Sequence, residues 1–279
     1  MSSTSRIASR RAAPAAVAAL ITVAGCGNGT GEGAGENAGS AAPGAGSGAA
    51  SSGRVTGTIT VMAAASLKES FTSLARTFEQ QHPGTKVVLS FGPSSGLAGQ
   101  ITQGAPADVF ASASRKNMDQ VTQAGDAASP TTFARNQLTI VTPASNPAKV
   151  RGLSDLTKPS VKTAVCQAQV PCGVVAATVF RNAGVTVKPV TQEVDVKAVL
   201  SKVTLGEVDA GLVYVTDAKA AGTKVAQVAI PADDNASTDY PIAPLTGSKN
   251  PATAKAFVDL VLSQTGRQVL TGAGFAAPS

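Results

Sequence analysis

From residue 57 onward, short apolar runs alternate with stretches in which apolar residues recur every three or four positions. Residues 58–62 (TITVM) predict a strand, and Leu67, Phe71, Leu74 and Phe78 then fall on one face of a helix that begins near Ser66. His82-Pro83-Gly84 ends that helix, and residues 86–91 predict the next strand. Strand–helix–strand units of this length indicate a parallel sheet covered by helices.

A second series of the same kind begins at residues 138–142 (LTIVT). It predicts strands at 161–165 and 210–215, helices at 172–182 and 196–205, and a return of the chain at 240–243. We therefore predict an α/β fold of two lobes joined by crossing strands. Lobe 1 comprises residues 57–138 plus 241–279, and lobe 2 comprises residues 139–240. The cleft between two such lobes is the expected ligand site.

The amino-terminal segment has the composition of a targeting signal followed by a linker. Arg6, Arg10 and Arg11 precede an apolar stretch that is too short to span a bilayer, which predicts a signal peptide over residues 1–25. Its end, Val-Ala-Gly before Cys26, resembles a lipobox, which implies a lipid on Cys26 and anchoring on the outer face of the cytoplasmic membrane. The export route stays open. Residues 26–56 are rich in Gly, Ala and Ser and predict a flexible tether.

Charge and cysteine usage narrow the partners of the exported body. Without the three leader arginines the chain holds 20 basic and 17 acidic residues, scattered and without interleaved aromatic residues, so nucleic-acid binding has little support. Cys166 and Cys172 lie six positions apart in an oxidising setting, which predicts a disulfide, with two free thiols as the alternative. With His82 as the sole histidine, a zinc site would lack ligands, and we expect no direct metal ligands.

Small or polar residues open four predicted helices, near Ser66, Ser94, Cys172 and Val196. Helix starts offer unpaired N–H groups and a partial positive charge, which favour anions, although many α/β proteins have several such starts. Ser66 and Glu69 also have the spacing of a capping box.

Residues 92–96 (GPSSG) match the nucleophile elbow of serine hydrolases, which makes hydrolysis an alternative function. That triad needs a histidine after the serine, and no histidine follows Ser94 in this chain.

Six segments together resemble the periplasmic molybdate-binding proteins of ABC transporters over about residues 57–277. They are AAASL at 63–67, GPSSGLAGQI at 92–101, GAPADVFASA at 104–113, VPCG at 170–173, GLVYVTDA at 211–218 and YPIA at 240–243. The resemblance implies the type II periplasmic-binding-protein fold and an oxyanion held by five residues. These are Ser66 through its hydroxyl and N–H, Ser94, the N–H of Cys172, the N–H of Val196, and the hydroxyl of Tyr214. Ser95 leaves open which serine hydroxyl points inward.

None of these five positions carries a charge, so the site offers donors and no carboxylate acceptor. Such a site favours a fully deprotonated oxyanion, because a protonated one would direct an O–H at other donors. The resemblance implies a molybdate binder that also takes tungstate, works with transporter permease subunits, needs no cofactor and is monomeric. A sulfate-like binder and a purely structural lipoprotein remain alternatives, whereas two tyrosines and one histidine do not suit ferric iron.

Overall fold

Two long strands connect two α/β bodies. They are β4 (Thr131–Pro143) and β9 (Ser237–Pro244), which pair with each other in antiparallel fashion. The computed structural model describes residues 54–278. The predicted signal peptide, Cys26 and most of the predicted tether lie outside the described residues.

Within residues 54–278 the chain forms nine strands and eight α-helices. The other strands are β1 (Gly57–Ala64), β2 (Thr85–Gly92), β3 (Val109–Ala111), β5 (Thr163–Cys166), β6 (Thr191–Glu193), β7 (Ala210–Tyr214) and β8 (Val225–Val228). The helices are α1 (Lys68–Gln81), α2 (Ser94–Thr102), α3 (Arg115–Gln123), α4 (Pro171–Asn182), α5 (Val196–Thr204), α6 (Val215–Ala221), α7 (Pro251–Leu262) and α8 (Gln264–Ala273). Short 3-10 turns occupy Ala65–Leu67, Leu153–Thr157 and Gly222–Lys224.

The first body is built on the strand order β2-β1-β3-β9-β4, in which β1 is parallel to β2 and β3. Alternate residues of β1 enter opposite faces of this sheet: Ile59 and Val61 join the core beneath α1, α7 and α8, whereas Met62 joins a second core beneath α2 and α3. This alternation follows from the two-residue period of a strand. The sheet is therefore covered by helices on both faces.

The second body uses the carboxyl half of β4. Residues 138–141 of β4 pair with β7 in antiparallel fashion, and β7 runs parallel to β5, which is parallel to β6. The buried members of its core lie between Leu138 and Ile230. We call the first body lobe 1 and the second body lobe 2. Their boundaries, given above, remain a proposal.

The α/β architecture expected from the apolar pattern is present, with two differences in detail. The strand predicted at 138–142 is the end of a longer strand that begins at Thr131. Helix α3 was not predicted because Met118 and Val121 are its only large apolar residues and give little periodicity. At the C-terminal end, α7 and α8 are separated by Ser263, whose hydroxyl caps α8. None of the helices in residues 54–278 is both long and apolar enough to cross a membrane.

Candidate ligand-binding site

A small cavity lies where the carboxyl ends of β1, β2, β3 and β7 meet the amino ends of α2, α4 and α5. Ligands of open α/β sheets bind at this edge, because helix starts and strand ends converge there. The interior volume of the cavity is about 20 Å³, a little more than one water molecule needs. All five predicted ligand positions line it: Ser66, Ser94, Cys172, Val196 and Tyr214.

Lobe 1 contributes two buried serines, each of whose hydroxyls already has a protein partner. Ser66 lies in the 3-10 turn after β1, with its Oγ 2.8 Å from the hydroxyl of Tyr240. Ser94 is the first residue of α2, and its Oγ accepts a hydrogen bond of 2.9 Å from the N–H of Ala113. Ser95 is only half-buried and is not among the lining residues, so Ser94 is the better placed of the two serines.

The capping box expected at Ser66 and Glu69 is wrong. Helix α1 begins at Lys68 with Leu67 as its N-cap, and no side chain caps it. The 3-10 turn places Ser66 one residue before the N-cap position, and its hydroxyl pairs with Tyr240 instead. The Glu69 carboxylate turns to the Nζ of Lys197 at 2.8 Å.

Lobe 2 places the starts of two helices, with their backbone N–H groups, at the cavity. Cys172 is the second residue of α4, and Val196 is the first residue of α5. Within the described residues, neither N–H donates a hydrogen bond. Both are among the first N–H groups of their helices, which have no intrahelical acceptor and carry the positive end of the helix dipole.

Two local devices hold these helix starts in place. The expected disulfide between Cys166 and Cys172 is present, with 5.7 Å between the two Cα atoms, and it ties the first turn of α4 to the end of β5. A Cβ at Gly173 would lie 1.9 Å from the Gln167 carbonyl oxygen, so only glycine permits this loop to pack on α4. On α5, the carboxylate of Asp195 accepts from the N–H of Ala198 at 2.9 Å, as an N-cap.

Tyr214 ends β7 and is 1 % exposed. Its hydroxyl is buried and has no hydrogen-bond partner among residues 54–278. Burial raises the pKa of this phenol well above its usual value, and the neighbouring Tyr240 and Asp217 raise it further. The hydroxyl therefore keeps its proton at neutral pH and remains a donor beside the cavity.

No cationic side chain lines the cavity as the structure describes it. The nearest in sequence, Lys197, directs its Nζ to Asp217 at 2.9 Å and to Glu69. Burial lowers the pKa of Lys197, but Asp217 and Glu69 outweigh it, so the net shift is upward. Asp217 is fully buried, and burial raises its pKa to about 6 despite the opposing effect of Lys197. Asp195 is the one charged residue of the lining, and its carboxylate is engaged as the cap of α5.

Sequence reasoning did not find the groups that support the two serines. Tyr240 belongs to the quoted YPIA segment and is fully buried, yet nothing in the sequence pairs it with Ser66, 174 positions away. The ion pair between Lys197 and Asp217 was likewise not predicted from the sequence. Between residues 54 and 278 there is no cluster of three or more His, Cys, Asp or Glu side chains that could hold a metal ion.

A small donor-lined cavity between two α/β bodies joined by crossing strands is typical of a solute-binding protein. Residues 59–276 match the family model described as bacterial extracellular solute-binding protein, and the chain belongs to this family.

Curated relatives and solved structures point to the same group. The chain is 45 % identical over 221 residues to the molybdate-binding protein ModA of Mycobacterium tuberculosis, which covers 79 % of this chain and 85 % of that protein. It is 35 % identical to the ModA of Escherichia coli, over 78 % of this chain and 88 % of the relative. The substrate-binding domain of a putative molybdenum ABC transporter from Clostridium difficile superposes with a TM-score of 0.62 at 30 % identity, covering 80 % of this chain and 100 % of that one.

Proposed function

We propose that this chain is an extracytoplasmic solute-binding protein that captures molybdate, and also tungstate, for an ABC transporter. The observation that carries the proposal is the convergence of five distant positions on one cavity: Ser66, Ser94, Cys172, Val196 and Tyr214. The similarity to ModA proteins over 79 % of the chain supports the choice of ligand.

The chemistry of the lining favours a fully deprotonated oxyanion. Ser66, Ser94 and Tyr214 would donate through hydroxyls, and Cys172 and Val196 through N–H groups that lack acceptors in the described chain. Helix starts stabilise a negative charge without a cationic side chain. A protonated anion would place its O–H against one of these donors, which costs about 1–3 kcal/mol for an unpaired polar group.

A hydrolytic function is disfavoured by the surroundings of Ser94. His82, the sole histidine of the sequence, packs its ring on Phe78, with 4.6 Å between ring centroids, and does not line the cavity. Ser94 therefore has no histidine beside it to act as a general base. Its hydroxyl instead accepts from the N–H of Ala113. We infer that the protein binds its ligand without transforming it.

The cellular setting is proposed from the sequence. A lipid on Cys26 and a glycine-rich tether up to residue 56 would hold the protein at the outer face of the cytoplasmic membrane. The tether would let a monomeric two-lobed body reach the permease subunits of its transporter.

Thermal unfolding of the purified protein with molybdate, tungstate, sulfate, phosphate or ferric citrate tests this function. A ligand at about 1,000 times its dissociation constant adds about 4 kcal/mol to the free energy of unfolding. Each kcal/mol raises the unfolding midpoint by about 2–4 °C for a body of this size. Molybdate and tungstate should therefore raise it by roughly 8–16 °C, and sulfate much less.

The other ligands separate the alternatives. A larger shift with sulfate than with molybdate would make the protein a sulfate-type binder. No shift with any oxyanion would reject the binding function and leave a structural lipoprotein. Covalent labelling of Ser94 by a serine-reactive phosphonate would revive the hydrolase alternative.

A further inference from the structure

We propose that Tyr240 is a specificity-determining positioning residue, which occupies the acceptor side of the Ser66 hydroxyl so that Ser66 can only donate to the bound anion. The inference rests on the proposed function and deepens it. Its geometric basis is the 2.8 Å contact between the Ser66 Oγ and the Tyr240 hydroxyl, at the wall of the cavity. Tyr240 does not itself line that cavity.

The direction of this hydrogen bond decides the role of Ser66. A phenol is a stronger acid than an aliphatic hydroxyl and therefore the better donor, whereas the serine oxygen is the better acceptor. Burial raises the pKa of Tyr240 above its usual range, although the Ser66 hydroxyl opposes this, so the phenol keeps its proton at any pH at which the protein works. In the proposed arrangement Tyr240 is therefore the donor to Ser66, and the single proton of Ser66 points elsewhere.

The packing around Tyr240 holds the phenol at this place. Its ring is fully buried and makes edge contacts with Phe133, Tyr214 and Phe275, at centroid distances of 6.2, 6.1 and 5.2 Å. These contacts leave the ring little freedom, so the hydroxyl meets Ser66 in one geometry. Because Ser66 lines the cavity, its proton can be directed into it.

Ser94 is arranged in the same way by a different group. The N–H of Ala113 fills the acceptor side of the Ser94 Oγ at 2.9 Å, so this hydroxyl also has its proton left for the anion. The N–H of Ala113 can be removed only by a proline, which also constrains the backbone, whereas Tyr240→Phe removes a hydroxyl and keeps the ring. Tyr240 is therefore the point at which the donor-only character of the site can be altered by one atom.

Removing that atom should change ligand choice. In Tyr240→Phe the Ser66 hydroxyl becomes free to turn, so it can accept a proton from a ligand O–H as well as donate. The affinity for molybdate should fall by roughly 2- to 12-fold, the range for loss of one neutral hydrogen bond. Inorganic phosphate, which carries a proton near neutral pH, should lose less affinity or gain some, so the ratio of molybdate to phosphate affinity falls.

The chain offers a matched control, because Tyr214 and Tyr240 are its two tyrosines. Tyr214→Phe removes a proposed contact donor, so it should weaken molybdate, sulfate and phosphate by similar factors and leave their ratios unchanged. Tyr240→Phe should instead change the ratios. The Ser66→Ala background adds a second control: Tyr240→Phe should then have no further effect on the affinity ratio, since its action passes through Ser66.

Calorimetric titration of the four variants and the parent with molybdate, sulfate and phosphate tests the proposal. A lower molybdate-to-phosphate ratio in Tyr240→Phe that disappears in the Ser66→Ala background supports it. An unchanged ratio, or an additive effect of the two substitutions, overturns it and leaves Tyr240 as a packing residue. Failure of the parent itself to bind molybdate would reject the proposed function, which the parent titration detects separately.

Discussion

The two lobes supply hydrogen-bond donors to the cavity by different means. Lobe 1 contributes the side chains of Ser66 and Ser94, each with its oxygen already engaged by another group of the same lobe or of the crossing strand β9. Lobe 2 contributes the N–H groups of Cys172 and Val196, whose side chains play no part as donors. Tyr214 is the exception in lobe 2, since the group that it presents beside the cavity is a buried hydroxyl.

This difference determines which substitutions each half tolerates. A side-chain donor depends on the identity of its residue, and its direction depends on a second partner behind it. A backbone donor depends only on where the helix begins, so the side chain can be sulfur or hydrocarbon. The disulfide at Cys172 and the Asp195 cap near Val196 should therefore serve to place the two helix starts rather than to contact the ligand.

The largest effect is expected in lobe 1, from Ser94→Ala. This change removes a proposed donor to the anion and also leaves the buried N–H of Ala113 without its acceptor. A hydrogen bond to a charged group contributes about 1.5–3 kcal/mol, so the affinity for molybdate should fall roughly 10- to 150-fold. Calorimetric titration measures the loss, and thermal unfolding without ligand should show a lower midpoint.

Ser95→Ala is the control for this first prediction. Ser95 is half-buried and does not line the cavity, so its hydroxyl should not affect binding. If Ser95→Ala weakened molybdate binding more than Ser94→Ala, the contact would belong to Ser95 and our assignment would be wrong.

In lobe 2 the sharpest test compares two substitutions of Val196. Val196→Ala keeps the N–H and should bind molybdate within a few-fold of the parent. Val196→Pro removes the N–H at the first position of α5, where proline is well tolerated by a helix. Its affinity should fall roughly 10- to 150-fold, as for loss of one charged hydrogen bond. Equal affinities of the two variants would mean that this N–H does not contact the anion.

The lobe 2 disulfide should matter for stability much more than for affinity. In Cys166→Ala/Cys172→Ala the N–H at position 172 remains, so molybdate should bind within a few-fold of the parent. Loss of a short disulfide loop costs roughly 2–3 kcal/mol, which lowers the unfolding midpoint by about 4–12 °C. Thermal scans of the oxidised parent and the double variant measure this. A large loss of affinity without a loss of stability would assign the disulfide a direct role in the site.

The contrast between side-chain and backbone donors also explains what the sequence could predict. Strand and helix patterns, helix starts and the six family-like segments were enough to predict the α/β fold and to name five positions that line one cavity. The groups that hold these positions in place could not be predicted, because the two partners of each contact are distant in the chain. Ser66 and Tyr240 are 174 positions apart, and Lys197 and Glu69 are 128 apart. The capping box at Ser66 failed for this reason, since the tertiary contact with Tyr240 replaced the local one.

The smallest expected effect concerns Asp217, which lies in lobe 2 and faces Lys197, itself paired with Glu69 of lobe 1. Burial raises the pKa of Asp217 from 3.8 to about 6 in the folded protein. Between these values the folded state binds more protons than the unfolded state, so the contribution of Asp217 to stability is present below about pH 4 and is lost as the pH rises through 6. In the variant Asp217→Asn, no group titrates at this position. The free energy of unfolding of the parent minus that of the variant should therefore fall, by on the order of 2 kcal/mol, between pH 4 and pH 7. Urea denaturation at several pH values measures this difference. A difference that grows with pH would mean that the ion pair with Lys197, within lobe 2, outweighs burial and lowers the pKa of this carboxyl.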